Sequence, residues 1–235
     1  DVFKRRSDRQ DVSSFNENQT GAGLRMGYQL TQPLRHNVAY ELQRREVTRV
    51  RSGASRIINQ QKGSTVSSTI SNILYYDQLN NRFNPTEGYF GRYNLDMAGL
   101  GGSVKYIRNT VEAGHFTPIY SHDWVIEISG EVGQVFGIGE DVRLVDRYYL
   151  GGEDLRGFEF GGAGPRDTGT DDALGGNLLA RGTVELSFPL GLPREYGFSG
   201  RAFSDLGVLT DIEESGADIT DKGTVRMSVG MGVAW

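Results

Sequence analysis

Residues 178–188 read LLARGTVELSF and residues 196–208 read YGFSGRAFSDLGV. In the first stretch the even positions are Leu178, Ala180, Gly182, Val184, Leu186 and Phe188, and the odd positions include Arg181, Thr183, Glu185 and Ser187. In the second, Tyr196, Phe198, Gly200, Ala202, Ser204, Leu206 and Val208 alternate with a face that carries Arg201 and Asp205. Successive side chains of a strand point to opposite faces, so each stretch has one apolar and one charged face. Tilted strands of about ten residues with this period match the thickness of a bilayer.

The same period recurs outward from these stretches. Ala22, Leu24, Met26, Tyr28 and Leu30 share one face, as do Val38, Tyr40 and Leu42. Val66–Tyr76, Tyr89–Leu100, Val104–Phe116, His122–Phe136 and the C-terminal segment through Val225, Met227, Val229, Met231, Val233 and Trp235 follow. Residues 1–6 read as the end of a strand, residues 8–19 as a polar loop, and Ser55–Gln60 as a short helix. The expected fold is all-β: a transmembrane antiparallel β-barrel wall of about nine strands, in one domain over residues 1–235. Short turns join the strands at one end and longer loops at the other, and aromatic residues gather near strand ends as a girdle requires. Trp124 and Tyr196 are expected to face lipid.

Composition fits this reading. Hydrophobic residues make up 37% of 235, too few for a soluble β core of this size but ample for a barrel with a polar interior. A run of 18 apolar residues, the signature of a membrane-crossing helix, does not occur. Cys 0 removes disulfides, thiolate chemistry and cysteine-held metals. The net charge of -5 argues against a nucleic-acid partner.

Residues 138–176 form a connection far longer than usual, and connections of that length are functional or disordered. Its glycines, Tyr148-Tyr149 and Phe158–Phe160 point to a folded loop. At its centre stand Leu155, Arg156, Gly157 and Phe158. An arginine here is either a solvated loop tip or a group directed into the barrel. In the second case Glu185 and Asp205, which parity sets on the same inward face, are its partners, because a guanidinium fork pairs well with carboxylates.

Other motifs carry less. Asp167-Thr168-Gly169-Thr170 spells an aspartic-protease tetrapeptide, but without the second copy or the flanking apolar strand it reads as a polar turn. His36, His115 and His122 are too scattered for a metal set, and Lys62-Gly63-Ser64 has the wrong order for a phosphate loop. Arg44, Arg45, Arg49 and Arg51 mark a solvated strand end or a lipid-headgroup contact. Residues 211–221 form an acidic loop.

Around the loop arginine, Tyr149-Leu150-Gly151-Gly152, Gly164-Pro165, Asp171-Asp172-Ala173-Leu174-Gly175-Gly176-Asn177, Phe203-Ser204-Asp205-Leu206-Gly207 and Asn84-Pro85-Thr86-Glu87-Gly88 stand in an order and spacing that resemble the outer-membrane assembly-barrel superfamily, most strongly over residues 80–235. The resemblance implies a barrel of about sixteen strands in the outer membrane of a Gram-negative bacterium. It implies assistance to the folding and insertion of barrel proteins, and no enzyme activity, cofactor or metal. Its partners would be unfolded outer-membrane proteins, accessory lipoproteins and membrane lipids. It further implies that loop 138–176 folds inward, with Arg156 on Glu185 and Asp205. The periplasmic POTRA domains of that superfamily, several N-terminal strands and two further strands after Trp235 are expected to lie outside these residues. A two-partner-secretion transporter of the same superfamily is the alternative.

Overall fold

A computed structural model describes residues 1–121, 123–193 and 196–234. Expectations about His122 and Trp235 therefore lie outside the described residues. The chain runs β1 (Val2–Arg9), α1 (Gln10–Ser13), β2 (Phe15–Thr31), β3 (Leu34–Thr48), α2 (Arg56–Gln60), β4 (Gly63–Asp77), β5 (Gly88–Gly102), β6 (Tyr106–Pro118) and β7 (Val125–Gly137). It continues through β8 (Arg166–Asp167), β9 (Leu178–Pro189), β10 (Ser199–Thr210), β11 (Ile219–Thr220) and β12 (Arg226–Ala234). Ten strands form one antiparallel sheet in the order β1-β2-β3-β4-β5-β6-β7-β9-β10-β12, and β8 pairs with β11 in a separate two-residue ladder.

The sheet thus holds ten strands where the periodicity suggested about nine. Val2–Arg9 is a strand of the sheet, registered from Val2↔Ala22 to Arg9↔Phe15. Residues 8–19 are not one loop: Gln10–Ser13 makes a single helical turn, Ser14 takes a left-handed φ of 55°, and β2 has already begun at Phe15. Asn16 and Glu17 belong to this strand and are buried. Strand β3 likewise continues through Arg44, Arg45 and Glu46 to Thr48. Above the apolar band both faces of a strand carry polar residues, so the period vanishes while the ladder persists. Strand β10 begins at Ser199, which leaves Tyr196 in the preceding turn. The short helix is present, with the Ser55 hydroxyl accepting from the Ile57 N–H at 3.3 Å as its cap.

One face of the sheet is an exposed apolar surface. Leu24, Met26, Leu30, Tyr40, Leu42, Val111, Ile128, Val132, Val184, Leu206, Met227, Val229 and Met231 all lie on it. A patch of this extent on a water-soluble monomer would drive aggregation, and it is the outer surface that a bilayer requires. Among the described residues no helix is long and apolar enough to cross a membrane; the strands provide the crossing. Trp124 stacks on Phe188 at 5.6 Å, on the apolar face near the short-turn end, and Tyr196 is 63% exposed in the turn nearby. In a background with Trp235→Phe and any tryptophan outside residues 1–235 likewise replaced, bromolipids should quench the Trp124 emission strongly. Quenching no greater than that of a water-exposed tryptophan would reverse the orientation of the wall.

The buried apolar clusters sit on the other face and at the long-loop end. One gathers Phe15, Val47, Ala54, Ile57, Ile58, Leu144 and Leu174 into a lid; another gathers Leu150, Leu155, Ala163, Leu179 and Leu209 between the long loop and the wall.

Candidate functional site

The loop between β7 and β9 lies against the polar face of the wall, and its chemistry explains the motif residue by residue. Leu155 is fully buried against Leu150, Ala163 and two inward leucines of the wall, Leu179 and Leu209. Gly157 turns the chain with φ 88°, and the Gly152 N–H donates to the Phe158 carbonyl at 2.8 Å to close the tip. Gly151 is required because a Cβ there would sit 1.9 Å from the Glu159 carbonyl oxygen, in a backbone conformation (φ 133°) that L side chains rarely adopt.

Between these anchors Arg156 points at the wall. Its Nε and Nη2 donate to the two oxygens of Asp205, each at 2.7 Å, and its backbone N–H donates to Asp205 Oδ2 at 3.1 Å. Its Nη1 donates to Glu185 Oε2, and its guanidinium lies 3.5 Å from the centre of the Phe203 ring. Thr183 Oγ1 donates to Asp205 at 3.0 Å, and Arg201 donates to Glu185 Oε1 at 2.7 Å. The structure therefore brings Arg156, Glu185 and Asp205 together, with Glu185 opposite Phe203 and Asp205 opposite Thr183 in the β9–β10 ladder. The hydrogen bonds to Asp205 hold the Arg156 guanidinium even further above its ordinary range against the pull of burial, and Glu185 adds to them. The group is a fixed cation, fit to clamp and not to exchange protons.

Sequence reasoning missed the rest of the docking network. Arg181 Nη2 donates to Glu131 at 2.6 Å, and its Nη1 lies 3.3 Å from Asp154, beside the tip. At the root of the loop Asp146 accepts from Arg45 Nη1 at 2.6 Å, and the Asp146 carbonyl accepts from Arg108. Arg147 is wholly buried and meets Glu214. Tyr148 exchanges a 2.7 Å hydrogen bond with Thr110, and Tyr149 stacks on Phe160 under the Arg9 guanidinium. Parity could have exposed Arg181–Glu131, since the two are direct neighbours across β7–β9. The pairs from loop to wall leave no local signal.

The Asp167 tetrapeptide is a turn: Asp167 Oδ1 accepts from the Gly169 and Thr170 N–H groups at 2.9 and 3.1 Å. Burial opposes ionisation of this carboxyl, but hydrogen bonds from Ser55, Gly169 and Thr170 outweigh it and hold it below the usual range. A depressed acid stabilises the fold above its unfolded pKa of about 3.9, and that stability is lost as pH falls through the lower folded value. The long loop should accordingly become more protease-sensitive below about pH 4, and Asp167→Asn should flatten that part of the profile; an unchanged profile would remove Asp167 from the account. His36 hydrogen-bonds Tyr28 at 2.7 Å, and among the described residues no cluster of histidines and acids could hold a metal.

The Omp85 superfamily domain matches residues 1–235. The chain belongs to the Omp85 superfamily. The outer membrane protein assembly factor BamA of Neorickettsia risticii (strain Illinois) is 32% identical over 235 residues, which is 100% of this chain and 32% of that protein. The sorting and assembly machinery component 50 homolog of Mus musculus is 29% identical over 194 residues, or 81% of this chain and 40% of that one. The crystal structure of BamA from Haemophilus ducreyi lacking POTRA domains 1-3 superposes with a TM-score of 0.83 at 21% identity, over 100% of this chain and 51% of that chain, a likeness of fold. The chain thus spans about a third of the length of the curated relatives it matches. As an Omp85 wall with an apolar outer surface, it is an outer-membrane β-barrel segment.

Proposed function

We propose that this chain forms part of the barrel of an outer-membrane protein assembly factor, which helps other β-barrel proteins fold and insert. What carries the reading is the 32% identity over all 235 residues to a protein that bears that name. The proposed work involves no bond chemistry. An incoming strand pairs by β-augmentation with an edge of the complete barrel, and the barrel thins the nearby bilayer, so the barrier to insertion falls. Loop 138–176, folded into the lumen and held by Arg156, braces the wall during this exchange. Unfolded outer-membrane proteins, accessory lipoproteins and membrane lipids are the proposed partners.

The test is the folding rate of an unfolded outer-membrane barrel protein in liposomes that hold the full-length protein, against empty liposomes. Clear acceleration is expected. No acceleration by a folded protein, together with a stable ion conductance, would replace this reading with the secretion-type pore.

A further inference from the structure

The acidic loop 211–221 is not a solvated charged tip. Ile212 and Ile219 pack against the apolar lid formed by Phe15, Ile57, Ile58, Leu144 and Leu174. Ile219 and Thr220 pair with Asp167 and Arg166 of the long loop, and the Thr168 N–H donates to the Asp218 carbonyl at 2.7 Å. Beneath this strap lies Arg147, whose side chain is 0% exposed. Its Nη2 donates to both oxygens of Glu214 at 2.6 Å and lies 3.6 Å from Glu213. Its Nε and Nη1 donate to the carbonyls of Val142 and Leu174, at 3.0 and 3.3 Å. One guanidinium thus ties two points of the long loop's own backbone to a carboxylate of the neighbouring loop.

We infer that the Arg147–Glu214 pair is a latch that holds strap 211–221 shut over the root of the long loop, separately from the clamp at Arg156. A buried guanidinium cannot lose its proton, so when the Glu214 carboxylate is replaced by a neutral side chain the charge draws in water and the strap lifts. The tip has its own partners, Glu185 and Asp205, and its own apolar cluster, none of which the strap supplies. The lid can therefore open while the tip stays clamped. This inference does not rest on the assembly reading.

The chain has Cys 0, so single thiols report cleanly. Leu174→Cys places a thiol in the lid, and Ala163→Cys places one in the tip cluster. Both positions are buried. In the full-length protein in vesicles, freed of other reactive thiols, each is labelled with a membrane-impermeant maleimide. Glu214→Gln should speed labelling at position 174 by on the order of tenfold or more, through local opening, and leave position 163 unchanged. The paired change Arg147→Met with Glu214→Leu, which replaces the ion pair by an apolar contact, should restore protection at position 174. The latch is overturned if Glu214→Gln leaves position 174 as protected as before. It is also overturned if position 163 accelerates in parallel, which would make the pair a support of the whole fold. Failure of the apolar pair to protect a protein whose position 163 stays closed would likewise count against a charge-neutralising latch.

Discussion

Arg156→Ala should release the long loop from the wall while the ten-stranded sheet survives. The substitution removes three charged hydrogen bonds to Asp205 and Glu185 and the contact over Phe203. It also leaves two buried carboxylates behind. Glu185 keeps Arg201, but Asp205 keeps only Thr183 and the loop N–H. Breaking a buried pair by deleting one partner costs about 3–5 kcal/mol. Each 1.4 kcal/mol is roughly a factor of ten, so a docked loop becomes one that samples the open state roughly hundreds to thousands of times more often. Protease cleavage within residues 151–165 should rise accordingly, with the electrophoretic signature of a folded barrel intact, and the full-length protein should sustain fewer folded outer-membrane proteins. Arg156→Lys should not rescue it, because an ammonium cannot grip both Asp205 oxygens in one plane. Exchanging charges, Arg156→Glu with Glu185→Arg, should recover only part of the loss, since the new glutamate would face Asp205. A double variant no better than the single would refute direct pairing with Glu185, and an unchanged cleavage rate in Arg156→Ala would refute the clamp.

That the clamp could be approached from the sequence has a simple cause. Strand parity is strict within the bilayer-facing part of a strand, so Glu185 and Asp205 had to share the face opposite Val184 and Leu206. Parity fails where the wall rises above the apolar band. Asn16 to Gln19 and Arg44 to Thr48 are ladder residues whose outward neighbours are also polar, so they resemble loop. The lid was illegible for a different reason. Its apolar members come from β2, β3, α2, the long loop and the acidic strap, one or two residues at a time, and no period connects Phe15 to Ile57 or Leu174. The pairs Arg147–Glu214 and Arg45–Asp146 join residues 67 and 101 positions apart, and only the folded loop brings them together.

The root of the long loop should prove as dependent on Asp146 as the tip is on Arg156. Asp146 is 2% exposed and accepts from Arg45 at 2.6 Å. The nearest other acid, Glu17, stands 3.9 Å from the same guanidinium, beyond hydrogen-bond reach. Asp146→Ala therefore leaves Arg45 charged under the lid with the Val145 carbonyl at 3.0 Å but no carboxylate within hydrogen-bond reach, at a cost of about 3–5 kcal/mol. The Arg108 bond to the Asp146 carbonyl survives, because it uses backbone. The lid should then loosen along β3 and α2 while the tip cluster stays protected, which hydrogen exchange resolves as faster exchange at residues 55–61 and 142–147 than at 152–163. An exposed pair is the control. Arg51 and Asp11 are 3.2 Å apart but largely in water, so Asp11→Ala should cost no more than about 1 kcal/mol. Adding Arg45→Met to Asp146→Ala should return most of the loss, because what destabilises the single variant is the stranded charge and not the missing attraction. Should the double variant exchange as fast as Asp146→Ala alone, the carboxylate would be acting by shape, and the electrostatic account of the loop root would fall.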